Sequence, residues 1–160
     1  MTFIEPDTDP TTLPWYGTAF HGNTRFKTTL ITHILGNLWM GGCVDGLALP
    51  EDFEYVISLY PWEKYTLGEH TVRTEFEMYD SAGGEGTALD DAVNAAVECL
   101  EKGKTLIHCQ AGLNRSGLVA ALALKKWKGM DGIDALNLLR QRRTPAVACN
   151  PDFERIILGQ

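Results

Sequence analysis

The chain has 160 residues, 44% of them hydrophobic and 22% charged, with a formal net charge of −7 at neutral pH. That length gives one domain with a sizeable core, and that composition excludes a disordered chain. No apolar run reaches the roughly 18 residues of a membrane span, the first residues lack the basic and apolar segments of a signal peptide, and the acidic balance argues against a broad nucleic-acid surface, so neither a membrane nor a nucleic acid is expected as a partner. In chain order, residues 1–29 read as an irregular arm, because Pro6, Pro10 and Pro14 break any helix and threonines crowd Thr8 to Thr12. Trp15, Tyr16 and Phe20 are expected to pack part of this arm onto the domain at 30–160. Short strands are predicted over 30–41, a buried strand over 54–60, and an alternating strand over 71–79 that ends at Asp80. The run Ser81 to Gly86 that follows is a glycine-rich loop able to move. Thr87 then stands as a helix cap before Leu89, Ala92, Val93, Ala96, Val97 and Leu100, a helical face that stops at Gly103. A strand at 104–108 leads through a tight loop into a helix at 115–128. Asp131 caps a helix at 132–142 with Ile133, Leu136 and Leu139 inward, and Asn150 caps a last helix at 151–158. Strands alternating with helices, followed by a run of helices, predict an α/β fold with a mostly parallel central sheet flanked by helices.

The tight loop carries the chemistry. His108-Cys109-Gln110-Ala111-Gly112-Leu113-Asn114-Arg115-Ser116 places a cysteine and an arginine six positions apart, with a glycine between them, at the junction of strand and helix. Ligands bind at such carboxyl ends of strands in open α/β sheets. A loop of this kind can aim successive backbone N–H groups at one point, and the helix N-terminus adds partial positive charge there. A cation and a helix N-terminus both favour a nucleophilic thiolate over a thiol. Arg115 offers a planar fork matched to two phosphate oxygens, Gly112 permits a backbone conformation closed to other residues, and Ser116 can hydrogen-bond the sulfur as it leaves a thiophosphate. His108 beside a cysteine invites a protease reading, but adjacent strand residues point to opposite faces, which leaves it a half-buried structural role.

The loop resembles the phosphate-binding loop of the cysteine-dependent protein tyrosine phosphatases, and within them the small dual-specificity branch. Asn37-Leu38-Trp39-Met40-Gly41-Gly42, Glu54 to Leu59 and Asn150-Pro151-Asp152-Phe153 resemble other segments of that family in the correct order, so the likeness runs over roughly residues 30–158. It implies the same sheet-and-helix fold, a metal-free and cofactor-free reaction on phosphorylated protein or peptide, and a histidine at 108 that orders the loop. It also implies a general acid, an aspartate upstream of the cysteine just after a strand. Asp80 matches, 29 residues before Cys109, and Glu85 on the same loop is the runner-up. Asp90 and Asp91 are read as complements to a helix dipole.

The expected site is therefore Cys109, Arg115, Asp80 and Ser116, with phosphate held by the loop from Gln110 through Ala111, Gly112, Leu113 and Asn114 to Arg115, and His108 in support. The predicted activity is hydrolysis of phosphotyrosine, and of phosphoserine and phosphothreonine beside it, by a monomer in the cytoplasm. An RNA 5′-phosphatase of the same superfamily is the second enzyme reading, weakened by Ala111 and by the acidic balance. A phosphoinositide phosphatase lacks the lysine it needs inside the loop, and a phosphate-binding pseudophosphatase is the non-enzymatic reading. Cys43, Cys99, Cys109 and Cys149 show no zinc or disulfide spacing. Cys43 and Cys149 are read as buried and inert, with a protective disulfide to Cys109 left open. His21, His33 and His70 are read without chemistry, Trp62 as a packing residue, and Arg142 and Arg143 as helix-end charge rather than contacts to a second phosphate.

Overall fold

A computed structural model describes residues 2–6, 16–21, 24–43, 49–60, 65–79 and 88–160, those up to residue 28 through their backbone only. Its centre is a five-stranded sheet. The strands are β4 (Ile31–Leu35), β5 (Leu38–Gly41), β6 (Tyr55–Ser58), β7 (Val72–Glu75) and β8 (Thr105–His108), in the order β4-β5-β8-β6-β7. Only β4 runs antiparallel to its neighbour; β5, β8, β6 and β7 pair in parallel. The central strand β8 is buried at every position, which is why Leu106 and Ile107 follow one another without polar alternation. Ile57, Ile107 and Met40 face one core, and Val56, Leu106 and Phe53 face the other.

Four helices cover the first face: α1 (Ala88–Lys102), α2 (Arg115–Lys128), α3 (Gly132–Arg142) and α4 (Pro151–Leu158). Helix α2 touches the other three and is buried nearly all round, from Leu118 to Ala121 and at Ala123 and Leu124. The last three helices start and end where the sequence placed them. Asn150 caps α4, its side chain accepting from Asp152 N at 3.0 Å. Asp131 occupies the N-cap of α3 without making a side-chain cap bond. Thr87, the expected cap of α1, lies outside the described residues.

Three expectations change. The strand read over 71–79 stops at Glu75, where its parallel pairing with Ser58 of β6 ends. Ile133 is 51% exposed, while Ala135, Leu136 and Leu139 form the buried stripe of α3. At 3.6 residues per turn, Ile133 lies roughly 110° around the helix from the centre of that stripe. The segment 1–29 is not an irregular arm throughout: β1 (Thr2–Pro6), β2 (Tyr16–His21) and β3 (Thr24–Thr29) form a three-stranded antiparallel sheet. Prolines exclude helix but leave strand open. Threonine, tyrosine and phenylalanine are strand formers, and β2 and β3 pair with His21 opposite Thr24, on either side of Gly22-Asn23. Among the described residues, no helix is long and apolar enough to cross a membrane.

Candidate active site

Strand β8 ends at His108 and α2 begins at Arg115, so Cys109–Asn114 is a loop at the carboxyl edge of the sheet. Gly112 takes φ +72°, and a Cβ there would run into the backbone of Gly41 and Gly42 and into Arg143 Nη2. Only glycine fits both the conformation and the space.

Every carbonyl of the loop is held from outside. Cys109 O accepts from His108 Nδ1 at 3.2 Å, and Gln110 O from Cys43 N at 2.9 Å. Arg143 Nη2 donates to Ala111 O at 3.1 Å and Arg143 Nε to Gly112 O at 2.7 Å. Leu113 O accepts from Ala148 N at 2.9 Å and Asn114 O from Leu118 N at 2.8 Å. In a planar trans peptide the N–H of each residue points opposite to the preceding carbonyl. Carbonyls fixed outward therefore aim the N–H groups of residues 110–115 inward, at the sulfur's side of the loop. The first turn of α2 contains no acidic residue, so its positive end is not neutralised locally.

Of the predicted residues, Cys109, Arg115 and Ser116 lie together on this loop and the first turn of α2. Cys109 is 2% exposed, and its Sγ lies 3.3 Å from Ser116 Oγ. Arg115 is 6% exposed. Its Nη1 donates to Met78 O at 3.3 Å and its guanidinium lies 5.0 Å from the Tyr60 ring centroid. Among the described residues Arg115 Nε is buried without a hydrogen-bond partner, a donor left for an anion. Asn114 does not cap α2 through its side chain. Instead its Oδ1 accepts from Asn150 N at 2.8 Å, which ties the loop to the start of α4. Asp80, Glu85 and Trp62 lie outside the described residues. The chain two residues before Asp80 is anchored at the loop, since Met78 is fully buried and its carbonyl receives Arg115.

His108 is fully buried rather than half-buried, because β8 is the central strand, and it bonds the loop through a chain that begins at Tyr65. Tyr65 OH lies 2.5 Å from His108 Nε2, while Nδ1 reaches Cys109 O. Since a carbonyl only accepts, Nδ1 carries the proton, and Tyr65 donates to Nε2. Burial pushes the Tyr65 hydroxyl above its usual range and pulls His108 down to about 4, so both stay neutral in this arrangement. Unfolded, His108 takes up a proton below pH 6.5; folded, it does so only near pH 4. Its contribution is complete above pH 6.5 and is lost as pH falls towards 4, at about 1.4 kcal/mol per pH unit. Urea unfolding at pH 7 and pH 5 is expected to show about 2 kcal/mol of this acid loss. His108→Asn keeps a donor for Cys109 O but does not titrate, so its loss should be smaller by that amount. Equal losses would show that His108 is not held neutral.

Arg143 corrects the sequence reading. It is buried, not a solvated helix-end charge, and its Nη1 also donates to Thr29 O at 2.6 Å and Thr32 Oγ1 at 2.8 Å. Burial lowers it to about 10, with Cys109 opposing that shift, so it remains charged at neutral pH. Arg142 stays exposed. Tyr60 and Tyr65 are neighbours of the site that the sequence did not single out. Cys43 is buried as expected, whereas Cys149 is only partly buried, its Sγ accepting from Asn114 Nδ2 at 3.5 Å.

A phosphate-sized cradle with a cysteine sulfur at its base and an arginine at its rim is what the loop motif implies, and comparison with known proteins decides the family. The model of the dual specificity phosphatase catalytic domain matches residues 52–159. The chain belongs to that family. It is an enzyme of the protein tyrosine and dual-specificity phosphatase class. A dual specificity protein phosphatase of Vaccinia virus (strain Western Reserve) is 27% identical to this phosphatase over 140 residues, covering 81% of each chain. The protein tyrosine phosphatase PRL-1 of Trypanosoma cruzi (strain CL Brener) is 36% identical over 73 residues, 42% of this phosphatase and 40% of the relative. The crystal structure of human DUSP28 shares the phosphatase's fold with a TM-score of 0.63 at 17% identity, over 80% of this chain and 95% of that one.

Proposed function

We propose that this phosphatase hydrolyses phosphotyrosine monoesters, and phosphoserine and phosphothreonine beside them, through a cysteinyl-phosphate intermediate. The observation that carries this reading is the loop whose carbonyls all bond outward, with Cys109 Sγ and Ser116 Oγ 3.3 Å apart at its base. The Cys109 thiolate attacks phosphorus in line, forming the S–P bond as the P–O bond to the substrate breaks. Asp80 gives its proton to the leaving oxygen. Water then attacks the thiophosphate and passes its proton to Asp80, and the S–P bond breaks with the departing thiolate hydrogen-bonded by Ser116. The N–H groups of residues 110–115 and the Arg115 fork stabilise the equatorial oxygens throughout. The reaction needs no metal or cofactor.

Residues 30–160 form the catalytic unit in this reading, and the chain acts as a monomer. In this reading the enzyme works in the cytoplasm, because a thiolate nucleophile is best preserved in a reducing compartment. The test is a turnover panel with EDTA present: phosphotyrosine peptide, phosphothreonine peptide, 5′-triphosphate RNA and a phosphoinositide. Phosphotyrosine peptide is expected to be turned over fastest, with measurable turnover of phosphothreonine peptide. Preference for the RNA or the phosphoinositide would overturn the substrate assignment, and inactivity on all four would turn the reading to a phosphate-binding pseudophosphatase.

A further inference from the structure

Arg143 is a buried cation with no carboxylate partner among the described residues. Its nearest arginine neighbours differ: Arg140 pairs with Glu154 at 3.6 Å, and Arg142 is exposed. A buried charge without a counter-charge is expensive, and an apolar side chain would fill the space at lower cost. The acceptors that Arg143 does have are all neutral: the carbonyls of Ala111, Gly112 and Thr29, and the Thr32 hydroxyl. Its donors divide between the phosphate loop on one side and the entrance to β4 on the other.

We propose that Arg143 is a positioning residue of the phosphatase reaction, fixing the Ala111 and Gly112 peptides with their carbonyls outward and leaving its charge for the thiolate and phosphate in the cradle. This rests on reading the loop as that cradle. Gly112 sits in the left-handed region at φ +72°, where glycine has freedom to leave. Without Arg143 these two peptides lose their outer partners, and a flipped peptide would point a carbonyl dipole at the sulfur. Thr29 and Thr32 hold the far edge of the guanidinium, so the strand entering the sheet supports the loop through a single side chain. Lysine is a point charge and cannot span Gly112 O, Ala111 O and Thr29 O together.

The experiment compares Arg143→Met, Arg143→Lys, Thr32→Val and Arg142→Ala with the unmodified chain. The readouts are kcat and KM on an aryl phosphate, inhibition by inorganic phosphate, the pH dependence of Cys109 alkylation by iodoacetate, and the melting temperature. Arg143→Met is expected to lose about 100-fold in kcat, the scale of one transition-state donor or its support. Phosphate inhibition should weaken and alkylation should shift to higher pH. Arg143→Lys should retain the alkylation profile better than kcat, and Arg142→Ala should match the unmodified chain. Wild-type kcat and phosphate inhibition in Arg143→Met would overturn the proposal. So would a loss that follows the melting temperature while the alkylation profile stays put. If Arg143→Met does not fold, Thr32→Val decides: a severalfold loss in kcat at unchanged melting temperature supports the proposal, and no loss overturns it. An unmodified chain insensitive to inorganic phosphate would instead remove the cradle reading, and the proposal with it.

Discussion

Cys109→Ser is expected to abolish turnover while leaving phosphate-ester binding nearly intact. The serine hydroxyl is protonated at neutral pH and is a far weaker nucleophile than a thiolate, so the rate should fall on the order of 10⁴-fold or more. Binding should survive because, in the proposed mechanism, backbone N–H groups and Arg115 hold the anion, and the loop is set by bonds that the sulfur does not make: His108 to Cys109 O, Cys43 to Gln110 O, Arg143 to Ala111 O and Gly112 O, and Ala148 to Leu113 O. Titration with a phosphotyrosine peptide, followed calorimetrically, separates the two effects. Turnover near the wild-type rate would take Cys109 out of the mechanism. Lost binding would mean that the sulfur, not the cradle, holds the ligand.

Asp80→Asn is expected to cut turnover of a phosphotyrosine peptide by about 10²–10⁴-fold, the usual contribution of a general acid. A tyrosyl or alkyl oxygen leaves poorly unless it is protonated, whereas a nitrophenolate leaves readily as an anion. The loss should therefore shrink on an activated aryl phosphate, and the basic limb of the pH–rate profile should flatten. The placement of Met78, buried and bonded to Arg115 two residues ahead of Asp80, supports this assignment, because Arg115 is the residue proposed to bind the phosphate. Equal losses on the two substrates, or none, would exclude Asp80 as the acid. Glu85→Gln would then be the next variant, and the RNA 5′-phosphatase reading would gain ground.

Local features carried the parts of the fold that were legible in the chain. Helices α2, α3 and α4 run over the expected residues because a 3.6-residue apolar period, glycine stops and an Asn150 cap with Pro151 after it are properties of consecutive residues. The strand, loop and helix around Cys109 were readable for the same reason, down to the need for glycine at 112. The paired strands ahead of residue 30 were less so. Prolines and threonines in a row say what a segment cannot be, but antiparallel pairing depends on partners elsewhere in the chain.

By itself, then, the sequence determined the sheet-and-helix class, the helix limits, the cysteine, arginine and serine of the loop, and the family to which they point. Tertiary structure alone decided how the loop is held. The donors to the four carbonyls from Gln110 to Leu113 come from Cys43, Arg143 and Ala148, far along the chain in either direction, and a hydrogen bond between remote segments leaves no mark in the spacing of either. Arg143 shows the limit most clearly. In the run Arg140, Arg142, Arg143 it looks like one more cation at a helix C-terminus. Whether such a side chain meets solvent or the inside of a loop depends on how the chain leaves the helix and what packs against it. Arg143 turns inward because α3 ends beside both the phosphate loop and the start of β4, where neutral oxygens, and no carboxylate among the described residues, await a guanidinium.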